Sequence, residues 1–357
     1  MLIYWLLVLV PMLFALREQR NQDRSNDRTL LGLLMFVLLV VMGFRQNSGD
    51  FSTYEKVYEI VRIEVLRGRP FTQIVTITEP IYGLFNWVSV QFNWGICGVN
   101  TLCALVFLGC LWRCASGEPS PLFFTALSIP YFVIVVGMGY TRQGLAAGLI
   151  MLGIQSLRFG KPWLFGLQIM LAAGFHTSAF AFLPAVLFAK LDYRGDSTKM
   201  FVRILIIGIG VFGAYNIIQE QYGLYVVHYG GESQYKSSGA FLRSIVTGAA
   251  AIMFFGNFHK WRKKFADEAS LLLYAFAGLA VVPLSLVAST PADRMGLYLI
   301  PFQLIVFGRL PFLQNNQNAF ERYRFGIAVC YIAYFAVWLH LGAFAQQLWV
   351  PYKSALW

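Results

Sequence analysis

The amino-acid sequence predicts an all-α, polytopic integral membrane protein forming one domain over residues 1–357, and three observations predict it. The chain is 58% hydrophobic and 13% charged, against about 25% charged residues in a soluble domain. Its mean hydropathy is +0.60. Its apolar residues fall into separate runs bounded by charge, and no polar linker divides the chain.

In order, the apolar runs cover residues 1–16, 29–44, 95–112, 120–138, 142–157, 163–175, 177–189, 200–218, 239–258, 269–288, 295–311 and 325–345. They predict about 11–13 transmembrane helices, several shorter than the ~20 residues a full span prefers. The first run, Met1–Leu16, has no basic residue before it, and Arg17 follows it. That is the pattern of a retained anchor with an outward N-terminus rather than a cleaved signal. Most of the 28 basic residues then fall on cytoplasmic loops, at Arg17–Arg28, Arg113, Arg158–Lys161, Lys190–Arg203, Lys260–Lys264 and Arg309–Arg324. This is the asymmetry of the positive-inside rule. The net charge of +11 is therefore an orientation signal and an anionic-lipid contact, not a nucleic-acid surface.

Parity requires residues 163–189 to cross twice or to dip and return, because basic loops on both sides of it face the cytoplasm. Ala172-Ala173-Gly174 supplies small residues for such a hairpin. Two outer loops are long. Residues 45–94 end in Glu79-Pro80-Ile81-Tyr82-Gly83-Leu84-Phe85-Asn86-Trp87, which reads as an interfacial or re-entrant helix opened by its proline. Residues 219–239 form the second, rich in Tyr and Gly.

Some patterns carry little. Cys97, Cys103, Cys110, Cys114 and Cys330 form no CxxC pair, and the four histidines show no metal-ligand spacing, so no metal site is expected. Gly208-Ile209-Gly210-Val211-Phe212-Gly213 matches GxGxxG but lies in mid-span with no strand before it, which fits helix packing. There is no P-loop and no GxSxG elbow.

The predicted topology gathers polar groups at one face. Arg45, Arg142, Arg243 and Arg294 each sit at the outer end of a span, where an arginine can snorkel to headgroups. Arg45, Arg142 and Arg294 adjoin further polar groups, Gln46-Asn47, Gln143 and Asp293. Their planar paired donors suit a diphosphate. Asp50 is either a helix cap or a general base, and Tyr54 follows it by one helical turn. Glu79 has a similar capping alternative. His176, among small residues, is either a packing residue or a proton carrier near neutral pH. Asp293-Arg294 is an ion pair, a cap or part of the site. The tail Trp349-Val350-Pro351-Tyr352-Lys353 is an aromatic belt or a substrate contact.

The order GFRxxxGDxxxY, E-P-x-Y-G-L, RQGLA, FHTSAF, a late Arg and a terminal W-x-PY resembles the EpsG/Wzy-like family of bacterial polysaccharide polymerases, from about Gly43 to Tyr352. Phe51 stands where the family pattern often has Trp or Tyr. The resemblance implies a GT-C-like helical fold in the bacterial inner membrane. It also implies a glycosyltransferase that polymerises undecaprenyl-diphosphate-linked repeat units on the periplasmic face without a nucleotide sugar. The implied partners are the lipid-linked oligosaccharide, membrane lipids and a chain-length regulator protein, and no cofactor is implied. In that scheme Arg45, Arg142 and Arg294 hold the diphosphate in place of a metal. Asp50 or His176 takes the acceptor proton. Tyr54, Glu79, Gln143, Asp293 and Tyr352 position substrate. An O-antigen ligase, or a flippase or transporter of the same lipid-linked oligosaccharide, remains the alternative.

Overall fold

A computed structural model describes residues 1–18, 25–188 and 239–356. Among them the chain is helical and contains no strand, so the protein is an all-α membrane protein. The apolar run at 200–218, the loop at 219–239 and the GxGxxG stretch lie outside the described residues. The chain packs into two compact units, Met1–Gly148 with Phe307–Trp357, and Leu149–Val306.

In the first unit the order is α1 (Leu2–Arg17), α2 (Ser25–Gly43), α3 (Phe51–Leu66), α4 (Phe71–Ile74), α5 (Pro80–Gln91), α6 (Gly95–Ala115), α7 (Pro121–Ser128) and a π-helix over Ile129–Gly137. The helix α8 (Thr141–Arg158) begins here and continues into the second unit. Prolines open α5 and α7, where their missing N–H costs nothing. Ser120 caps α7 by accepting from the Phe123 amide at 3.3 Å. Every residue from Pro121 to Gly137 is buried. A helix apolar on all sides belongs in the middle of a bundle, and this one is the core of its unit. α1 packs on α7, α2 on α6, and α5 on both α3 and α6.

The second unit contains α9 (Pro162–Phe175), a 3-10 helix (Thr177–Phe188), α10 (Ala240–Gly256), α11 (Phe258–Lys264), a 3-10 turn (Glu268–Leu271), α12 (Leu272–Val287), α13 (Ser289–Leu297) and α14 (Ile300–Arg309). α10 and α12 make its main helix pair. Gly278 lets α12 approach so closely that a Cβ there would lie 3.3 Å from the Ala251 Cβ. Small residues at such contacts replace the hydrophobic drive that lipid cannot provide. The expected hairpin over 163–189 appears as α9 and the 3-10 helix packed on one another, both too short to span. The chain returns to the first unit at Phe307, within α14, and continues with α15 (Gln317–Leu341) and α16 (Ala343–Leu348).

Three described helices are long and apolar enough to cross a membrane: Gly95–Ala115, Glu268–Val287 and Gln317–Leu341. Counting as single spans the pairs Ala240–Gly256 with Phe258–Lys264, bent by 73°, and Ser289–Leu297 with Ile300–Leu313, bent by 56°, raises this to five. The larger sequence count came from runs that fold as apolar helices of 10–17 residues, such as Leu2–Arg17 and Pro121–Gly137. Residues 45–94, expected as a loop, contain α3, α4 and α5, and α5, at 12 residues, is too short to span.

The first unit has two chemically distinct ends. At one end Arg309 donates to both oxygens of Glu118, each at 2.5 Å. Ser120 of the same turn donates to the Glu18 carboxylate, and Arg324 donates to the Glu18 carbonyl at 2.5 Å. At the other end Tyr4 donates to the Trp349 carbonyl at 3.0 Å, and Trp5 stacks on His340. Tyr4 and Glu18 lie at opposite ends of α1, and Arg324 and His340 lie toward opposite ends of α15.

Candidate functional site

The Tyr4 end of the first unit is built by the segment after α2 and by the C-terminal tail. Gln46 N–H donates to the Lys353 carbonyl at 2.9 Å, and Ala355 N–H to the Phe44 carbonyl at 2.8 Å. Between them Arg45 and Ser354 form an isolated antiparallel bridge. Asn47 fastens the same turn from its side chain, donating to the Pro351 carbonyl at 2.6 Å and accepting from Lys353 N–H at 2.9 Å. The Val350–Pro351 peptide bond is cis. Trp349 is buried and donates from its indole to the Ile134 carbonyl at 3.2 Å. Its ring covers Gly49 and Gly139, where a side chain would collide with it.

Arg45 is buried, and each of its three nitrogens donates inside the protein. Nε reaches Ser48 Oγ at 3.2 Å, one terminal nitrogen the Met42 carbonyl, and the other Thr141 Oγ1 at 2.7 Å. Ser48 in turn donates to the Met138 carbonyl at 2.8 Å. Arg45 therefore fixes the end of α2 to the start of α8. Tyr352 is likewise engaged, its hydroxyl donating to the Val41 carbonyl at 2.9 Å. These two residues shape the site from behind.

Three helix N-termini meet here. Asp50, at the N-cap of α3, donates its backbone N–H to the Gly139 carbonyl at 2.9 Å, two residues before α8 begins. Arg142, in the first turn of α8, reaches Glu79, the N-cap of α5. Neither Asp50 nor Glu79 makes a side-chain capping hydrogen bond to its own helix. The partial positive charges of three converging helix N-termini favour an anion.

Arg142 donates to the Glu79 carboxylate and, at 3.1 Å, to Thr78 Oγ1; Thr78 itself donates to Glu79 at 2.7 Å. The guanidinium lies 5.6 Å from the Tyr54 ring centre and 5.8 Å from that of Tyr82, both within cation–π range. The two rings contact each other at 5.6 Å. Burial works against the Glu79 charge, but Arg142 and the Thr78 hydroxyl outweigh it and hold the carboxyl below its usual value. Burial and the nearby Asp50 carboxylate push the Tyr54 phenol up, so it is a neutral donor. Gln143, next to Arg142, is buried, and Asp50 is half-buried.

The second unit holds the other three residues singled out from sequence. His176 terminates α9 in extended conformation. Its Nδ1 lies 2.7 Å from Ser178 Oγ and 3.0 Å from the Tyr298 hydroxyl, and those two oxygens are 2.7 Å apart. Tyr298 is fully buried. This closed triangle fixes the imidazole. Asp293 accepts from Arg243 Nε at 2.5 Å, and the adjacent Arg294 is exposed.

The first unit thus brings together Arg45, Asp50, Tyr54, Glu79, Arg142, Gln143 and Tyr352. The second joins His176 to Ser178 and Tyr298, and Asp293 to Arg243. Thr78, Thr141, Tyr298 and the pairing of Arg243 were not visible in the sequence. Among the described residues no three His, Cys, Asp or Glu side chains come together as a metal site.

No curated protein and no solved structure matches the chain. A family model does, and it covers residues 28–354, from the first turn of α2 to the Ser354 bridge. That range contains each element that builds the polar end of the first unit except α1, together with the His176 triangle. The EpsG family comprises Wzy-like polysaccharide polymerases of the membrane, and this chain belongs to it.

Proposed function

We propose that the protein polymerises undecaprenyl-diphosphate-linked oligosaccharide repeat units on the outer face of the bacterial inner membrane. The observation that carries this reading is the meeting of Arg142 with three helix N-termini, beside two carboxylates and two tyrosines. Membership of the EpsG family gives the reaction its class.

The growing chain leaves its lipid diphosphate and joins a hydroxyl of the incoming unit. The hydroxyl oxygen forms the bond to the anomeric carbon, and the bond from that carbon to the phosphate oxygen breaks. The departing diphosphate gains negative charge, which Arg142 and the helix N-termini stabilise. Arg45 acts one step removed, by holding the start of α8. Within the first unit Asp50 and Glu79 are the groups able to take the hydroxyl proton; in the second unit the corresponding group is His176. Tyr54 and Tyr82 offer flat faces against which the guanidinium, and a sugar ring beside it, can rest. Lipids and a chain-length regulator complete the expected partners.

The test is incubation of detergent-purified protein with one lipid-linked repeat unit, with and without EDTA. A ladder of lipid-linked products in both conditions supports polymerisation driven by arginine rather than by metal. Arg142→Ala should abolish the ladder while the protein still purifies as a folded species. Transfer to lipid A instead would identify a ligase. Movement of the intact unit across a bilayer without elongation would identify a transporter. Either outcome overturns the reading.

A further inference from the structure

Glu79 occupies the place an anionic ligand of Arg142 would take. Its carboxylate receives the Arg142 donor, is steadied by Thr78, and sits at the N-terminus of α5, where a phosphate is also favoured. A diphosphate that engages Arg142 must compete with this carboxylate.

Resting on the polymerase reading, we propose that Glu79 is the catalytic base, held inactive by Arg142 until the substrate diphosphate draws that arginine away. Before substrate binds, the carboxylate is paired and weakly basic. When the diphosphate takes the guanidinium, the burial of Glu79 is no longer offset, and its affinity for a proton rises. Glu79 then accepts the proton of the acceptor hydroxyl as its oxygen bonds to the anomeric carbon. The electron pair of the broken carbon–oxygen bond leaves with the diphosphate, which Arg142 holds. Atoms and charge balance without a further reactant. A single arginine thus couples donor binding to activation of the acceptor, and water that arrives ahead of the donor meets a carboxylate that is not yet a base. Glu79 is the carboxylate that Arg142 engages by a direct hydrogen bond, with Thr78 beside it.

The test measures two quantities that a merely structural Glu79 would not drive in opposite directions. Undecaprenyl diphosphate carrying no sugar is titrated into detergent-purified wild type, Glu79→Gln and Arg142→Ala, and elongation is measured on the same preparations. Glu79→Gln should bind about tenfold tighter, because the ligand no longer breaks a charged contact. The same variant should elongate at least about a hundredfold more slowly, the usual contribution of a general base. Arg142→Ala should bind at least about tenfold more weakly. Should Glu79→Gln fail to fold, Glu79→Asp serves instead, its shorter side chain loosening the Arg142 contact with the same direction of effect on binding and rate. Binding unchanged or weakened in the Glu79 variant, or elongation at the wild-type rate, overturns the assignment of Glu79 alone. Wild type that does not bind undecaprenyl diphosphate, or binds it no better than Arg142→Ala, overturns the polymerase reading with it.

Discussion

The Tyr298 hydroxyl lies 3.0 Å from Nδ1 of His176, a residue 122 positions earlier in the chain, and Ser178 Oγ lies 2.7 Å from both. One ring nitrogen is therefore tied to two hydroxyls inside the second unit. Tyr298→Phe keeps the buried ring and removes only the hydroxyl. It should lower elongation by about tenfold, the worth of one hydrogen bond, with thermal unfolding in detergent shifted little. The double variant with His176→Ala should be no slower than His176→Ala alone, because the hydroxyl acts only through the imidazole. Additive losses would show that Tyr298 works by another route.

Arg45 was expected to grip the diphosphate, yet its three nitrogens donate to Ser48, Met42 and Thr141. Lysine cannot reproduce that fork. Arg45→Lys should destabilise the protein by about 2–4 kcal/mol, from two or more lost or strained hydrogen bonds to a charged donor. The affinity of the remaining folded protein for undecaprenyl diphosphate should change less than twofold. A stable Arg45→Lys variant that has lost affinity about tenfold would return Arg45 to direct contact with substrate.

Much of this end of the molecule was legible as a list of pieces, and far less as an arrangement. The GFRxxxGD and W-x-PY segments each stood out in the sequence. Their union by Gln46–Lys353 and Phe44–Ala355 backbone bonds could not, because such bonds leave no side-chain signature. Arg243 read as a lipid-facing cation because its neighbours are apolar, and its partner Asp293 is 50 residues away. Tyr298 was hidden by its apolar surroundings, although it lies one helical turn after Arg294. Hydropathy measures apolar length and is blind to helix ends, so the breaks after Gly256 and Leu297 went unseen. The all-α membrane class was secure because it depends on composition, which no local misreading can change.

Glu79 gives the stability of the first unit a defined acid limb. Its folded-state value lies below its ordinary 4.5, through Arg142 and Thr78, which together outweigh burial. A depressed carboxyl contributes stability that is full above the unfolded value and is lost as pH falls through the folded one. Thermal unfolding should therefore be insensitive to this contact above about pH 5 and should weaken below about pH 4. Glu79→Gln should flatten that limb while lowering stability at neutral pH. An acid limb identical in the variant would show that the Glu79–Arg142 contact does not set it.

At Gly49 the chain leaves no room for a side chain. A Cβ there would lie 2.7 Å from the Gly139 carbonyl oxygen and 2.9 Å from Cη2 of Trp349. Gly49→Ala should therefore push Trp349 off Gly139 and loosen the tail, at a cost of about 1–3 kcal/mol for overpacking a tight contact. The displaced tail takes with it the Asn47 and Gln46 bonds that hold the Arg45 segment. Limited proteolysis should then cut after Leu348 faster than in wild type. A Gly49→Ala, Trp349→Ala double variant should lose less stability than the sum of the two single losses, because the new methyl no longer meets the indole. Sub-additivity is the informative outcome. It would show that the glycine exists to admit the tryptophan, and that this seat holds the tail against the start of α8. Additive losses would show instead that Trp349 packs independently of Gly49.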